Sequence, residues 1–444
     1  MDFTPHTPAD IERMLAALGH NAVEDLFAHL PPESRPQRDL DLPEPMAEVE
    51  VMRHLSGLAA RNVSDLVCFA GGGVYDHYLP PTVRALTLRP EFVTSYTPYQ
   101  AEVSQGVLQA LYEYQSMVAA ITGLPVANAS LYDGATAALE AVNLAVGATG
   151  RRTVWVSRGL SPRAREVLAT CAPARDLAVV EHPLAEGRTV WKPDAGPEPA
   201  LLLLAQPNYL GVVEDYDTAV GLARAKGALA AASVDPMLLG VLRSPGAAGC
   251  DIALGDAQPL GTPLSFGGPG LGLFATSAAL MRRVPGRLVG RTLDEDGRVA
   301  YTLTLRTREQ DIRREKASSN ICTNQGLNAV AAAVHLAWLG PGGLAEAGRQ
   351  SVHKAHYLAE RLGRIAGVRL AVAAPFAREF AIELPAEPVP VVAAMAESGY
   401  LAGIPLSADY PELPRSLLVA VTEKRSRTEL DGFAAALEEV LRIA

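Results

Sequence analysis

Four segments of this 444-residue sequence combine turn-forming glycines with polar side chains, so they are the places where chemistry could occur. They are residues 71–78, 96–106, 249–270 and 306–324. In the third segment an apolar stretch runs into a glycine-rich loop, which is typical of a strand end where a ligand binds an α/β sheet. That segment contains no lysine and no histidine. It therefore predicts an active-site loop without an obvious reactive group.

Two residues sharpen this prediction. Asp235 follows a predicted strand, and Gln258 lies on the loop after the next one. In pyridoxal-phosphate enzymes an aspartate at the first position pairs with the pyridinium nitrogen, and a lysine on the following loop forms the Schiff base. Gln258 stands where that lysine is expected. Because many aspartates at strand ends are capping residues, Asp235 alone leaves a structural role open.

The other polar segments offer groups that bind and orient. Segment 96–106 gathers hydroxyl, amide and carboxylate groups, including two tyrosines, which suit a cofactor phosphate or a substrate carboxylate better than a helix cap. In segment 306–324 the charges around Lys316 could form a solvated ion-pair network, but the serines and asparagine that follow favour a site. His77 has no second ligand at a metal-binding spacing, so we expect no metal.

The composition limits the partners of the chain. A net charge of −10 and a pI of about 5.5 argue against nucleic acid and anionic membrane surfaces. We see no apolar run near the ~18 residues of a membrane span and no signal-peptide pattern. The four cysteines show no metal-ligand spacing and are expected to be free thiols in a reducing compartment. We therefore expect a cytoplasmic protein.

The periodicity of apolar residues predicts three regions. Residues 1–90 form a helical N-terminal arm and a glycine-rich loop. Strands and helices alternate over residues 91–325, which predicts a mostly parallel, doubly wound α/β sheet. Residues 326–444 mix helices with short strands and are expected to form a smaller α+β domain.

Four motifs in these regions resemble those of glycine cleavage system P-proteins, the glycine dehydrogenases (decarboxylating). The motifs are residues 73–78, 97–102, 266–269 and 313–323. The resemblance covers almost the whole chain and corresponds to the N-terminal half of the long P-proteins, which is a separate α subunit, or subunit 1, in organisms that divide the enzyme. In one departure, Gly270 stands where many relatives have histidine, so no role for that histidine is carried over.

This resemblance implies the type I, aspartate aminotransferase-like pyridoxal-phosphate fold with a degenerate site, in agreement with Gln258. It implies an oxidoreductase that decarboxylates glycine and passes the aminomethyl group to the lipoyl arm of the H-protein. The partner β subunit would carry the Schiff-base lysine and pyridoxal 5′-phosphate, in an αβ pair that doubles to α2β2. This chain would complete the partner's site from across the interface. The expected contributors are Tyr96, Tyr99, Gln100, Glu102, Ser104, Ser318, Ser319, Asn320 and Thr323.

Two other interpretations remain open from the sequence. The chain could be an autonomous pyridoxal-phosphate decarboxylase that uses Lys316, or it could be a purely structural partner whose residues do not touch the chemistry.

Overall fold

The computed structural model describes residues 5–35, 38, 40–317 and 319–443. It divides into two compact units, one ending at Ser64 and the other beginning at Asp65. Their helices are α1 Pro8–Leu18, α2 Glu48–Ala59, α3 Pro81–Thr87, α4 Pro90–Val93, α5 Gln105–Thr122, α6 Gly134–Thr149, α7 Pro162–Cys171, α8 Tyr216–Ala225, α9 Pro245–Ala248, α10 Gln310–Arg313, α11 Gly326–Leu362, α12 Pro388–Glu397 and α13 Arg427–Ile443.

The strands all belong to the second unit. They are β1 Val67–Cys68, β2 Val126–Ala127, β3 Thr153–Ser157, β4 Ala178–His182, β5 Leu184–Ala185, β6 Arg188–Thr189, β7 Leu201–Gln206, β8 Leu229–Val234, β9 Ile252–Asp256, β10 Gly272–Thr276, β11 Leu288–Leu293, β12 Val299–Thr304, β13 Arg369–Leu370, β14 Glu379–Glu383, β15 Tyr400–Leu401, β16 Ile404–Pro405 and β17 Ser416–Ala420.

The first unit contains α1 and α2. Thr7 caps α1: its hydroxyl accepts a hydrogen bond from the Asp10 amide at 3.3 Å, and the Asp10 carboxylate accepts one from the Thr7 amide at 2.9 Å. Pro8 occupies the first turn, and Gly19 ends the helix in the left-handed conformation. Apolar side chains of both helices, including Leu18 and Leu55, are exposed.

The second unit is built on a seven-stranded sheet in the order β2-β10-β9-β8-β7-β3-β4. Strands β4, β3, β7, β8 and β9 run parallel, while β10 is antiparallel to both β9 and β2. This arrangement confirms the predicted mostly parallel sheet. It also brings the carboxyl ends of β7, β8 and β9 to one edge, where a ligand site is expected.

Helices cover both faces of this sheet. Along β7, Leu201 and Leu203 belong to the core beneath α6 and α7, whereas Leu202 and Leu204 belong to the core beneath α8. Alternate side chains of a strand point to opposite faces, so a strand buried on both faces reads as a continuous apolar run.

A smaller antiparallel sheet, in the order β13-β14-β17-β16, forms a separate core with α12, α13 and the second half of α11. Strand β1 pairs with β15 near this core, and the Phe69 carbonyl accepts a hydrogen bond from the Ala420 amide at 2.8 Å. Residues 1–90 thus include a strand of the second unit. The predicted domain limits at residues 90 and 325 stay predictions.

Helix α11 is long enough and apolar enough to cross a membrane by length and composition. Its first half nevertheless packs into the same core as α5, with Ala332 and Leu336 buried. The backbone departs from helical geometry at Gly340, and Pro341 follows. We interpret α11 as a core helix whose first half packs in the core of the large sheet and whose second half packs in the core of the small sheet.

Gly211 fixes the distance between the loop after β7 and strand β14. Its φ is +82°, and a Cβ there would collide with the carbonyl oxygen of Glu379.

We predict that Gly211→Ala lowers the free energy of unfolding by about 3 kcal/mol or more, because both the backbone and the packing must change. Urea denaturation measures this loss. The matched control is Gly221→Ala in α8, where a Cβ meets open space and helix propensity predicts no loss; equal stability of both variants would contradict the prediction.

Candidate functional site

A cavity of about 380 Å³ opens at the carboxyl ends of β7, β8 and β9. The first turns of α6 and α7 and the glycine-rich segments 71–78 and 261–270 also line it. The polar side chains of the lining are Tyr75, Asp133, Ser161, Arg163, Glu166, Asn208, Tyr209, Ser233, Asp235, Asp256 and Gln258. The sequence therefore predicted the position of this cavity through its strand ends and glycine-rich loops.

The side chain of Gln258 links two loops inside this cavity. Gln258 is 5% exposed. Its side-chain oxygen accepts a hydrogen bond from the Tyr75 amide at 3.1 Å, and its side-chain nitrogen donates to the Thr262 carbonyl at 2.7 Å. The amide thus ties the 71–78 loop to the turn after β9. A glutamine offers both a donor and an acceptor for this purpose, which a lysine does not.

Two amide groups at the start of α6, those of Gly134 and Thr136, donate to carboxylates of the chain itself. Asp133 accepts a hydrogen bond from the Thr136 amide at 2.7 Å, and Asp256 accepts one from the Gly134 amide at 3.1 Å. Burial raises the pKa of Asp256, while the amides bonded to it oppose this shift. A helix N-terminus ordinarily attracts a phosphate, but here a phosphate would compete with two carboxylates.

Asp235 is also bonded within the chain, to an arginine side chain. Its carboxylate pairs with the guanidinium group of Arg378, and both side chains are largely buried. Arg378 contacts the Nε2 atom of His77 and lies 3.6 Å from the ring centroid of Tyr75. On the other side of its ring, His77 donates through Nδ1 to Glu423. Burial, followed by the charge of Arg378, lowers the pKa of His77, so we take the imidazole to be neutral at pH 7.

These observations test whether pyridoxal phosphate fits the cavity. Among the described residues no lysine lines it, the Gly134 and Thr136 amides already donate to carboxylates, and Asp235 is paired with Arg378. Lys316 is exposed on a turn and is not part of the lining. The residues of this cavity therefore do not fit a cofactor held through a Schiff base, although the lining includes one basic side chain, Arg163. Within the described chain, no group of three or more His, Cys, Asp or Glu side chains could hold a metal ion.

A second group of candidates meets about Tyr99. Its hydroxyl accepts a hydrogen bond from Arg287 at 2.9 Å, and Arg287 also donates to the Cys322 carbonyl. The ring lies 4.8 Å from the Arg287 guanidinium carbon and 5.1 Å from that of Arg306. A pocket of about 330 Å³ adjoins it, lined by Tyr99, Glu309, Gln310, Asp311, Arg314, Ile321 and Cys322.

The 319–325 segment rests on residues 128–132. The Asn324 side chain donates to the Ala129 carbonyl at 2.7 Å, and the Cys322 amide donates to the Tyr132 hydroxyl at 3.2 Å. The Ser319 hydroxyl accepts a hydrogen bond from the Ile321 amide at 3.1 Å. Asn320 is exposed and Thr323 is half-buried above this support.

The other residues predicted for the site are not shown to gather around one point. Tyr96 is 85% exposed, Gln100 and Glu102 are exposed, and Ser104 lies half-buried at the start of α5. Ser318 lies outside the described residues. The structure thus brings Tyr99 together with the segment that contains Ser319, Asn320 and Thr323, and it leaves the role of each residue a prediction.

Three important residues were missed by sequence reasoning. Arg287 gives no local signal beyond a turn at Gly286. Arg378 and Glu379 are two adjacent charged residues directly before the apolar residues 380–382 of β14, and both are buried. Glu379 accepts hydrogen bonds from the Gly72 amide at 2.7 Å and the Tyr75 hydroxyl at 2.9 Å. Burial raises the pKa of Glu379 to about 7.

Comparisons with known proteins add to this geometry. A family model described as glycine cleavage system P-protein matches residues 1–437. The chain is 47% identical over 444 residues to the probable glycine dehydrogenase (decarboxylating) subunit 1 of Moorella thermoacetica, covering 99% of this chain and 100% of that one. It is 47% identical over 439 residues to the protein of the same description from Prosthecochloris aestuarii, with 98% of each covered.

Solved structures agree. A glycine decarboxylase (P-protein) of the glycine cleavage system, in inhibitor-bound form, superposes with a TM-score of 0.89 and 46% identity, covering 99% of this chain and 100% of that chain. An alanine–glyoxylate aminotransferase from Nostoc sp. has a TM-score of 0.60 at 18% identity, with coverages of 86% and 96%. The latter shows the fold alone and, with the former, confirms the predicted aminotransferase-like class.

Glu379 generates a testable pH dependence. Because its pKa is about 7 in the folded chain and near 4.5 when unfolded, the folded state keeps the proton longer, and this contribution to stability is lost as pH rises through 7. We predict that the wild type loses up to about 3 kcal/mol between pH 5 and pH 8 relative to Glu379→Gln. Unfolding free energies from urea titrations at both pH values measure the difference.

The control for this prediction is Glu383→Gln on the same strand, a carboxylate that pairs with Arg369 at the surface. This variant should keep the wild-type pH dependence. Parallel stability profiles of the wild type and Glu379→Gln would contradict the assignment of this titration to Glu379.

Proposed function

Because this chain belongs to the glycine cleavage system P-protein family, we propose that it is the α subunit, subunit 1, of a divided glycine dehydrogenase (decarboxylating). The relatives that match it over their whole length carry this description. The observation that carries the proposal is the cavity around Gln258, which has no lysine in its lining and in which Gln258, Asp256 and Asp235 are each bonded within the chain.

The proposed enzyme is an oxidoreductase that needs a companion β subunit, subunit 2. A lysine of that subunit would hold pyridoxal 5′-phosphate, and two αβ pairs would assemble as α2β2. When bound there, the cofactor would accept the electron pair released as glycine loses carbon dioxide. The aminomethyl group would then pass to the lipoyl arm of the H-protein.

The contribution of this chain is to bind, orient and exclude water at the companion's site. Tyr99 is 49% exposed and its hydroxyl oxygen already accepts a hydrogen bond from Arg287. The single hydroxyl proton is therefore free to be donated to an oxygen atom of the cofactor phosphate or the substrate carboxylate. Asn320 is exposed beside the same support and would add an amide donor.

A reconstitution experiment tests the assignment. We expect this chain alone to catalyse no exchange of labelled bicarbonate into glycine, and the mixture with the companion subunit and pyridoxal phosphate to do so. Borohydride reduction followed by peptide mapping should locate the cofactor on a lysine of the companion. Lys316→Arg serves as the control and should retain full exchange activity. A stoichiometric adduct on Lys316, or activity of this chain alone, would overturn the proposal in favour of an autonomous decarboxylase.

Asn320→Ala separates a catalytic contribution from a purely structural partnership. We predict that it lowers the exchange rate of the reconstituted complex by about tenfold or more, since one buried polar contact in the assembled site is lost. The rate is measured per assembled complex, after size-exclusion chromatography. Intact assembly with an unchanged rate would support a structural role for this segment.

A further inference from the structure

We propose that Arg287 is a positioning residue that holds Tyr99 and the 319–323 segment in one fixed arrangement toward the companion subunit's site. This inference rests on the proposed function, because it assumes that these two segments complete that site. It adds a residue that neither the motifs nor the comparisons single out.

The backbone of Arg287 is firmly held. Gly286 turns the chain with a φ of +69°. The Asn128 side chain donates to the Pro285 carbonyl at 3.0 Å, and the Ala129 amide donates to the Arg287 carbonyl at 2.9 Å. The base of the side chain is thereby attached to the 128–132 segment, the same support that carries Asn324 and Cys322.

The guanidinium group reaches both candidate segments from this base. One of its nitrogen atoms donates to the Tyr99 hydroxyl and to the Cys322 carbonyl, and its carbon lies 4.8 Å from the Tyr99 ring centroid. A partly exposed tyrosine ordinarily changes rotamer freely, but a hydrogen bond and a cation–π contact from one buried group define both its ring and its hydroxyl. Arg306 flanks the same ring at 5.1 Å.

The buried position of Arg287 costs free energy of folding, because its charge is removed from water. Its side chain is 3% exposed, and Glu309 is its ion-pair partner at 3.7 Å. Its Nε atom and the nitrogen facing Glu309 make no hydrogen bond to the described residues. A buried charge with incomplete pairing destabilises a fold relative to an apolar side chain of similar volume. Packing alone thus gives no reason for an arginine here, whereas a fixed donor to Tyr99 and Cys322 does.

The hydrogen bond between Arg287 and Tyr99 determines which way the Tyr99 hydroxyl can donate its proton. Arginine cannot accept a hydrogen bond, so the Tyr99 oxygen must be the acceptor and its proton must point elsewhere. A hydroxyl held in this way on a half-exposed residue is a preorganised donor, and errors of about 1 Å in such positions lower rates by up to ~100-fold.

A double-mutant cycle in the reconstituted complex tests the proposal. Arg287→Lys keeps a positive charge near Glu309 but replaces the planar guanidinium, whose one terminal nitrogen reaches both Tyr99 and Cys322, by an ammonium on a shorter, flexible chain. Tyr99→Phe keeps the ring but loses the hydroxyl. We expect each change to lower kcat for glycine–bicarbonate exchange by about tenfold with a smaller change in KM. The double variant should lie within about threefold of either single variant, because both remove the same interaction.

The control is Arg298→Lys in the exposed β11–β12 hairpin, which should leave kcat unchanged. Rates per assembled complex separate positioning from mere stability, since a structural role would reduce the amount of complex but not its turnover. Full turnover of Arg287→Lys, or fully multiplicative losses in the double variant, would overturn the proposal. If Arg287→Lys does not assemble, Tyr99→Phe decides, and wild-type turnover from that variant refutes the inference.

The proposed function fails in a different way. In that case the wild-type mixture of the two subunits shows no exchange, irrespective of any substitution. A wild-type complex that is active while Arg287→Lys equals it would refute only the role of Arg287.

Discussion

The second unit is joined by the contacts that the buried guanidinium group of Arg378 makes with three side chains. This group lies where the end of β8, the start of β14 and the 71–78 loop converge, and it contacts Asp235, His77 and Tyr75 there. Removing one partner of such a pair leaves an uncompensated charge in the interior, which typically costs about 3–5 kcal/mol. The large sheet, the small sheet and the glycine-rich loop are therefore joined by electrostatics as well as by apolar packing.

This network also explains the character of the cavity. A cofactor site needs groups that are free to meet a ligand, whereas Asp235, Asp256 and Gln258 are each engaged by the chain itself. The fold is that of a cofactor-dependent enzyme, but the polar groups of its central cavity now support the structure. The surface about Tyr99 has the opposite character, because its groups are held from behind and directed outward.

Local features of the sequence predicted much of the fold. The strand predicted before Asp235 is β8, and the alternation of strands and helices predicted over residues 91–325 is present in the large sheet. The glycine-rich loops and Asp235 located the cavity. The pairing of Asp235 with Arg378, and of Tyr99 with Arg287, joins residues far apart along the chain. Neither periodicity nor turn chemistry contains such pairings, because they depend on how the elements pack. The same limit left Ser319 and Asn320 as a polar run without a known support.

The carboxylates at the start of α6 have an evolutionary consequence. Attachment of a cofactor through a Schiff base in this cavity would require a lysine at position 258, a free Gly134 amide and an unpaired Asp235 at the same time. Each of these changes alone removes a hydrogen bond or an ion pair that the folded chain makes and gains no ligand in exchange, so each alone is expected to lower stability. Substitution of Gln258 by itself is therefore not enough to give this cavity the chemistry of a cofactor site, and a stepwise route to such a site passes through less stable sequences.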